Sequence, residues 1–231
     1  MIDSRYEWKK GPQTDQDQTK KLAEALNLSE RVAEILINRG YDTKEKAENF
    51  LKPGPKNLYD PYLMHDMKKG TDRIRTAIVE GQKITVYGDY DADGLTSTSI
   101  MYEALTQLGA ECDYYVPNRF DDGYGPNKDV YKRLIDNGTQ LIVTVDNGVA
   151  GHEAIEFAKE QGVDVVITDH HELPQELPDA YAIIHPKIPN DDGNYPFEGL
   201  SGAGVAFKRI ISRRQRHCLK RFRKKLWIFV R

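Results

Sequence analysis

Residues 84–98, Ile-Thr-Val-Tyr-Gly-Asp-Tyr-Asp-Ala-Asp-Gly-Leu-Thr-Ser-Thr, decide how this chain is read. The run Ile84 to Tyr87 is short, continuous and rich in β-branched residues, so it reads as a buried strand. Three aspartates, Asp89, Asp91 and Asp93, follow at alternate positions, and Gly94 closes the turn. The same grammar recurs twice downstream. Leu141–Val145 runs into Asp146-Asn147-Gly148, and Val165–Thr168 runs into Asp169-His170-His171. Polar groups just past the ends of parallel strands gather along one edge, where open α/β sheets bind their ligands. Five carboxylates and two imidazoles converging there would repel one another and resist desolvation unless cations bridged them. The pattern predicts a metal site, and a dinuclear one.

Around that centre the sequence alternates. Helices are expected over 73–80, 96–108, 128–136 and 153–161, and strands over 83–87, 113–116, 141–145, 163–168 and 181–184. This succession predicts an α/β fold, a mostly parallel sheet with helices on both faces. A small helical segment precedes it, with helices expected over 18–26, 30–39 and 43–51. The Pro- and Gly-bearing stretch 53–61 reads as a linker. The expected division is a helical preface and linker at 1–60, the α/β domain at 61–208, and a basic tail at 209–231.

Alternate aspartates in an extended chain point the same way, unless the turn at Gly94 breaks the alternation. Hard divalent cations take such oxygen ligands, and one imidazole shifts preference towards Mn²⁺ without excluding Mg²⁺. Asp146, from a neighbouring strand, is placed to bridge two ions. His170 is the candidate imidazole ligand, with Asp169 orienting it from behind, which leaves His171 to act on a phosphate oxygen or a leaving group. Each element has a plainer reading. Asp-x-Asp-x-Asp-Gly resembles part of a calcium loop, but Ile100 stands where that loop needs Glu. Asp146 alone suits a helix N-cap equally well. A lone His-His pair is more often structural. The occurrence of all three at successive strand ends favours the metal site. Two ions in such a site support phosphodiester hydrolysis, and no nucleophile motif suggests a covalent route.

These residues resemble the DHH phosphoesterases. The resemblance is carried by VYGDYDADGLTST (86–98), VPNRFDDGYG (116–125), VTVDNGV (143–149), VITDHHELP (166–174) and LSGAGVAFK (200–208), with the preface ending in NFLKP (49–53). Within the family the chain is similar to nucleases specific for single-stranded DNA. The resemblance implies that Asp89, Asp91, Asp93, Asp146 and His170 bind Mn²⁺ or Mg²⁺, and that His171 acts on the phosphate. It implies stepwise 5′→3′ removal of nucleotides in recombination and repair. Asn118 and Arg119 are candidate phosphate contacts, since Arg grips phosphate bidentately; a solvated surface Arg is the alternative.

After Lys208 the sequence departs from the family, which continues with a further metal-binding Asp, a second domain and an oligonucleotide-binding barrel. Residues 208–231 instead hold 11 Lys or Arg and no acid. The rest of the chain holds 22 basic and 36 acidic residues, so the overall net charge of −3 conceals an acidic body. A phosphate-contacting arm, an amphipathic membrane helix and a translation-frame artefact all account for the tail; the abrupt end of the family match favours the artefact. The expected function is therefore a family-type nuclease present as a weakly active or inactive fragment. Two alternatives are a small-substrate phosphodiesterase for short oligonucleotides or cyclic dinucleotides, and a non-catalytic nucleic-acid-binding fragment. No apolar stretch reaches the ~20 residues of a membrane span and the N-terminus lacks a signal-peptide core, so no membrane partner and a cytoplasmic location are expected.

Overall fold

The computed structural model describes residues 11, 14–54, 57–191 and 193–211. The chain divides into two compact units between Leu58 and Tyr59.

The first unit holds three short helices, α1 (Gln16–Leu26), α2 (Glu30–Asn38) and α3 (Lys44–Leu51). Each begins at a side chain that accepts a backbone amide left over by the first turn: Asp15 from Asp17, Ser29 from Val32 and Thr43 from Lys46. Leu22, Ala23, Ala33, Leu36 and Ala47 form its core.

The second unit is the α/β body. A 3₁₀ turn (Pro61–Leu63) leads into α4 (Met67–Val79), β1 (Ile84–Tyr87), α5 (Ala92–Gln107), β2 (Cys112–Tyr115) and α6 (Lys128–Asp136). Then follow β3 (Leu141–Val145), α7 (His152–Glu160), β4 (Asp164–Thr168), β5 (Ala182–Ile184) and α8 (Gly202–Ile211). All strand pairs are parallel, in the order β2-β1-β3-β4-β5. Alternate strand residues feed two cores. Ile84, Val86, Val143, Val166 and Ile184 pack with Ile74 of α4, Met101 and Leu105 of α5, and Val205 of α8. Tyr87, Ile142, Val165, Ile167 and Ile183 pack with Tyr131 of α6 and Ile155 of α7. A sheet covered on both faces favours apolar side chains at its central positions, which is why β1, β3 and β4 read as apolar, β-branched runs whose buried threonines, Thr85, Thr144 and Thr168, each have a hydrogen-bond partner.

The chain leaves β1 towards β2 and returns beyond β1 to form β3. The order therefore reverses between β1 and β3, and the crevice at their carboxyl ends is the place such sheets offer a ligand. Three elements depart most from the expected ones, the first being α4, which begins at Met67, six positions before the expected 73. Helix α5 begins at Ala92, four positions before the expected start, because the Asp91 side chain caps it by accepting the Gly94 amide at 2.8 Å. Helix α8 occupies the Ser-Gly-Ala-Gly segment, for which no helix was expected. The basic tail continues α8 to Ile211 and otherwise lies outside the described residues. Among these, no helix is long and apolar enough to cross a membrane.

Candidate metal centre

The turn after β1 buries Asp89, at 2% exposure, and aims its carboxylate along the sheet edge. Gly88 and Gly94 permit this: a Cβ on Gly94 would meet the Asp89 backbone at 2.6 Å, and one on Gly88 would meet Thr98 Oγ1 at 1.9 Å. The turn after β3 places Asp146 at φ +62°, with its amide donating to Thr168 O of β4 at 2.9 Å. Asn147 ties the two turns together, donating from Nδ2 to Gly88 O at 2.8 Å and to Val145 O at 3.0 Å. The turn after β4 is tied in through Asp169, whose Oδ2 accepts the Val149 amide at 3.0 Å.

Two trios of donors converge there. Asp89, Asp91 and Asp146 form one, Asp146, His170 and His171 the other; in each, the donor atoms lie within 4.8 Å of one another. Asp146 is common to both. It is 1% exposed, and its Oδ1 accepts no hydrogen bond although His170 Nε2 lies 3.0 Å away. A buried carboxylate oxygen with no donor aligned on it is costly, and an ion shared with the imidazole would remove the cost. Donors on adjacent vertices of a six-coordinate ion with bonds of about 2.1 Å are themselves about 3 Å apart, so the residues present fit a hard divalent cation.

The electrostatics agree. Burial raises the Asp89 carboxyl above the ordinary carboxylate range, and the charges of Asp91 and Asp169 add to it. Burial likewise raises Asp146, helped by Asp93. The Asp146 carboxylate raises His170, and the Asp169 carboxylate raises His171. Groups on both sides of the cluster thus favour their protonated forms. The pocket is short of positive charge, which is what a cation supplies.

The remaining expected residues fall as follows. Asp93 sits in the first turn of α5, outside both trios, with Oδ2 3.5 Å from His170 Nε2. Its two oxygens accept the amides of Gly202 (2.7 Å) and Ala203 (2.8 Å) at the start of α8. The alternation of the three aspartates breaks at Ala92 rather than Gly94, because Asp91 starts the helix. Asp169 requires a correction: its carboxylate holds His171 rather than His170. Oδ1 lies 2.7 Å from His171 Nδ1 and also accepts the His170 and His171 amides. The Asp169 side chain folds over the turn after β4, and the turn brings the ring of His171, not that of His170, to its carboxylate. Burial pushes Asp169 up, but these bonds and that from Val149 prevail and hold it below the ordinary range. Asp146 is not an N-cap; Gly151 occupies that position before α7.

Asn118 and Arg119 are both exposed. Asn118 is occupied within its loop, accepting the Phe120 amide and donating to Asp121. Arg119 extends over the Tyr90 ring, 5.6 Å from its centroid. Three contributors were not singled out from the sequence. Tyr124 sets its hydroxyl 3.3 Å from His171 Nε2. His185, fully buried, donates to the His171 carbonyl. Gly202 approaches so closely that a Cβ there would lie 2.2 Å from Asp146 Oδ1. Only the glycines of the Ser-Gly-Ala-Gly segment hinted at that last approach.

Fold and site together define an α/β protein with a carboxylate–imidazole centre at the carboxyl edge of a parallel sheet, the architecture of a metal-dependent hydrolase. The chain belongs to the DHH family, whose N-terminal domain matches residues 83–227. It is 48% identical over 208 residues to the single-stranded-DNA-specific exonuclease RecJ of Bacillus subtilis, covering 90% of this chain and 26% of that protein. Among solved structures, RecJ of Thermus thermophilus in complex with Mn²⁺ matches 90% of the chain and 28% of its own length, with TM-score 0.66 and 26% identity. An exonuclease RecJ bound to manganese matches 71% of this chain and 40% of its own, with TM-score 0.61 and 30% identity. The chain thus spans about a quarter of the length of the curated relatives it matches.

Proposed function

We propose that this chain carries the metal-binding part of an exonuclease that removes nucleotides stepwise from the 5′ end of single-stranded DNA, in recombination and repair in the cytoplasm. The observation that carries the proposal is Asp146, a carboxylate 1% exposed that stands at the shared corner of two donor trios. Asp89, Asp91, Asp93, Asp146 and His170 would hold two ions of Mn²⁺ or Mg²⁺. Such ions, when bound, provide hydroxide at neutral pH and stabilise charge in an in-line displacement at phosphorus. Asp169 fixes the ring of His171 with Nε2 turned outward, and favours the protonated imidazole that donates to a phosphate oxygen. Arg119 contributes a planar, permanent cation for the phosphate beside Tyr90. The likeness to exonucleases specific for single-stranded DNA supports that substrate.

Calorimetric titration with Mn²⁺ tests the centre. The chain is expected to bind the ion, and Asp146→Ala, which removes a donor from both trios, to abolish binding. Undiminished binding by the variant sinks the proposal. Comparing hydrolysis of a long single strand with that of a dinucleotide then separates the exonuclease from a small-substrate phosphodiesterase.

A further inference from the structure

The segment 117–127 between β2 and α6 has no regular structure, yet it brings Arg119 over Tyr90 and Tyr124 to His171. Its own fastening converges on one carboxylate. Asp122 Oδ2 accepts the Tyr115 hydroxyl at 2.7 Å and the Asn118 amide at 2.9 Å, and Oδ1 accepts Arg133 Nη2 at 3.2 Å. Arg133 Nη2 also donates to the Tyr115 hydroxyl at 3.0 Å, closing a triangle between strand, helix and loop. The backbone of Asp122 takes part as well, its carbonyl accepting Asn127 Nδ2 at 3.0 Å and its amide donating to Asn118 O at 2.8 Å. Farther along, Tyr87 donates to Gly125 O at 2.9 Å, and Gly123 and Gly125 supply the left-handed backbone that a side chain would strain. The Asp122 side chain is only 9% exposed, although its neighbours Asn118 to Asp121 are exposed.

We infer that Asp122 is a positioning residue: it locks this loop to β2 and α6, and so presents Arg119 and Tyr124 to the metal centre in advance of substrate. Asp122 touches neither the centre nor the space in front of it. It acts through the residues on either side, three before it and two after it. Its chemistry suits the task, because an ionised carboxylate accepts several donors at once, and bonds to a charged acceptor outlast neutral ones. That the loop serves a nucleotide phosphate rests on the exonuclease reading above; the lock itself does not.

The test is Asp122→Asn, which keeps the shape but sets an amide nitrogen against one of the donors, together with Tyr115→Phe, which removes a single donor and keeps the charge. Hydrogen exchange of the full chain is followed by mass spectrometry. Peptides spanning 117–127 are expected to exchange at least about tenfold faster in Asp122→Asn and less so in Tyr115→Phe, with β1 and β3 unchanged. Binding of a 5′-phosphorylated dithymidine with a phosphorothioate link is then measured with Mn²⁺ present. It is expected to weaken at least about tenfold in Asp122→Asn, while Mn²⁺ affinity stays at the parent value. Unchanged exchange in the loop overturns the lock. Faster exchange with undiminished nucleotide affinity overturns the positioning role. If the parent chain binds Mn²⁺ but not the dinucleotide, the nucleotide-site reading fails, and exchange alone decides the lock.

Discussion

Replacing Gly202 by alanine tests whether α8 belongs to the metal centre. Gly202 is the first residue of α8; inside a helix, alanine normally stabilises over glycine by about 0.5–1 kcal/mol. Here the added Cβ would stand 2.2 Å from Asp146 Oδ1, 2.5 Å from its Cγ and 2.7 Å from its Cβ. Asp146 has nowhere to go, being 1% exposed and tied through its amide to Thr168. Ordinary contact begins near 3.4 Å, so the start of α8 must lift by about 1 Å. The Asp93 bonds to the Gly202 and Ala203 amides, at 2.7 and 2.8 Å, would then stretch past a usable length. Two bonds to a carboxylate contribute about 1.5–3 kcal/mol each, and Asp93, partly exposed, recovers some of this from water. The expected loss is roughly 2–4 kcal/mol in urea unfolding followed by circular dichroism without added metal. Mn²⁺ affinity, by titration calorimetry, is expected to fall at least about tenfold. Gly204→Ala is the control: it places a Cβ on the same helix 3.2 Å from the flexible end of Leu200, with Leu200 Cβ (3.5 Å) and Ser201 Oγ (3.6 Å) at ordinary contact, and is expected to be neutral or stabilising. If Gly202→Ala matches Gly204→Ala in stability and in Mn²⁺ affinity, α8 does not brace the centre.

Three further outcomes are expected. Lys208 is buried, donates to Tyr59 O, and is pushed by that burial from the ordinary 10.5 to about 8. Below pH 8 both folded and unfolded states carry its proton; between about 8 and 10.5 only the unfolded state does, so this lysine's contribution to stability rises with pH, by up to about 3 kcal/mol. Urea midpoints at pH 7 and pH 10 should therefore converge between the parent and Lys208→Met, and parallel profiles refute the assignment. His185 accepts the Lys187 amide at Nδ1, so its proton is on Nε2, facing the His171 carbonyl at 3.0 Å. His185→Leu strands both backbone groups and should cost about 2–4 kcal/mol, whereas His185→Gln, able to keep the bond to His171, should cost less; equal losses refute the role. The 231-residue chain by itself is expected to show weak or no processive degradation of DNA. Robust Mn²⁺-dependent digestion of a 5′-phosphorylated single strand would contradict this.

Much of the α/β body was legible because central strands of a doubly covered sheet carry an unambiguous signal. Leu141–Val145 and Lys128–Asp136 have the bounds their patterns imply, one a run of apolar and β-branched residues, the other closed by Asn127 and Gly138. The start of α5 was misplaced because DYDAD reads equally as extended chain and as the first turn of a helix. Only the bond from Gly94 to Asp91 decides between them. Asp169 was set behind the wrong histidine for a similar reason. Its neighbours along the chain include both imidazoles, and the tight turn after β4 chooses His171. Tyr124 and His185 left no local signal, since tertiary packing brings His171 to both; Asp122 meets residues close in sequence, but nothing in the pair Asp121-Asp122 marks which one turns inward.

The sequence by itself determined the parallel α/β class, the strand ends that carry the acids, and the chemical kind of the site. Those features depend on side-chain periodicity and on donor type, and both are local. Tertiary structure alone decided that Asp146 serves both trios, that Asp93 anchors α8, and that Tyr124 reaches His171. Each of these is a distance between residues far apart in the chain. Such distances are set by how strands are ordered and helices packed, and no window of sequence contains them.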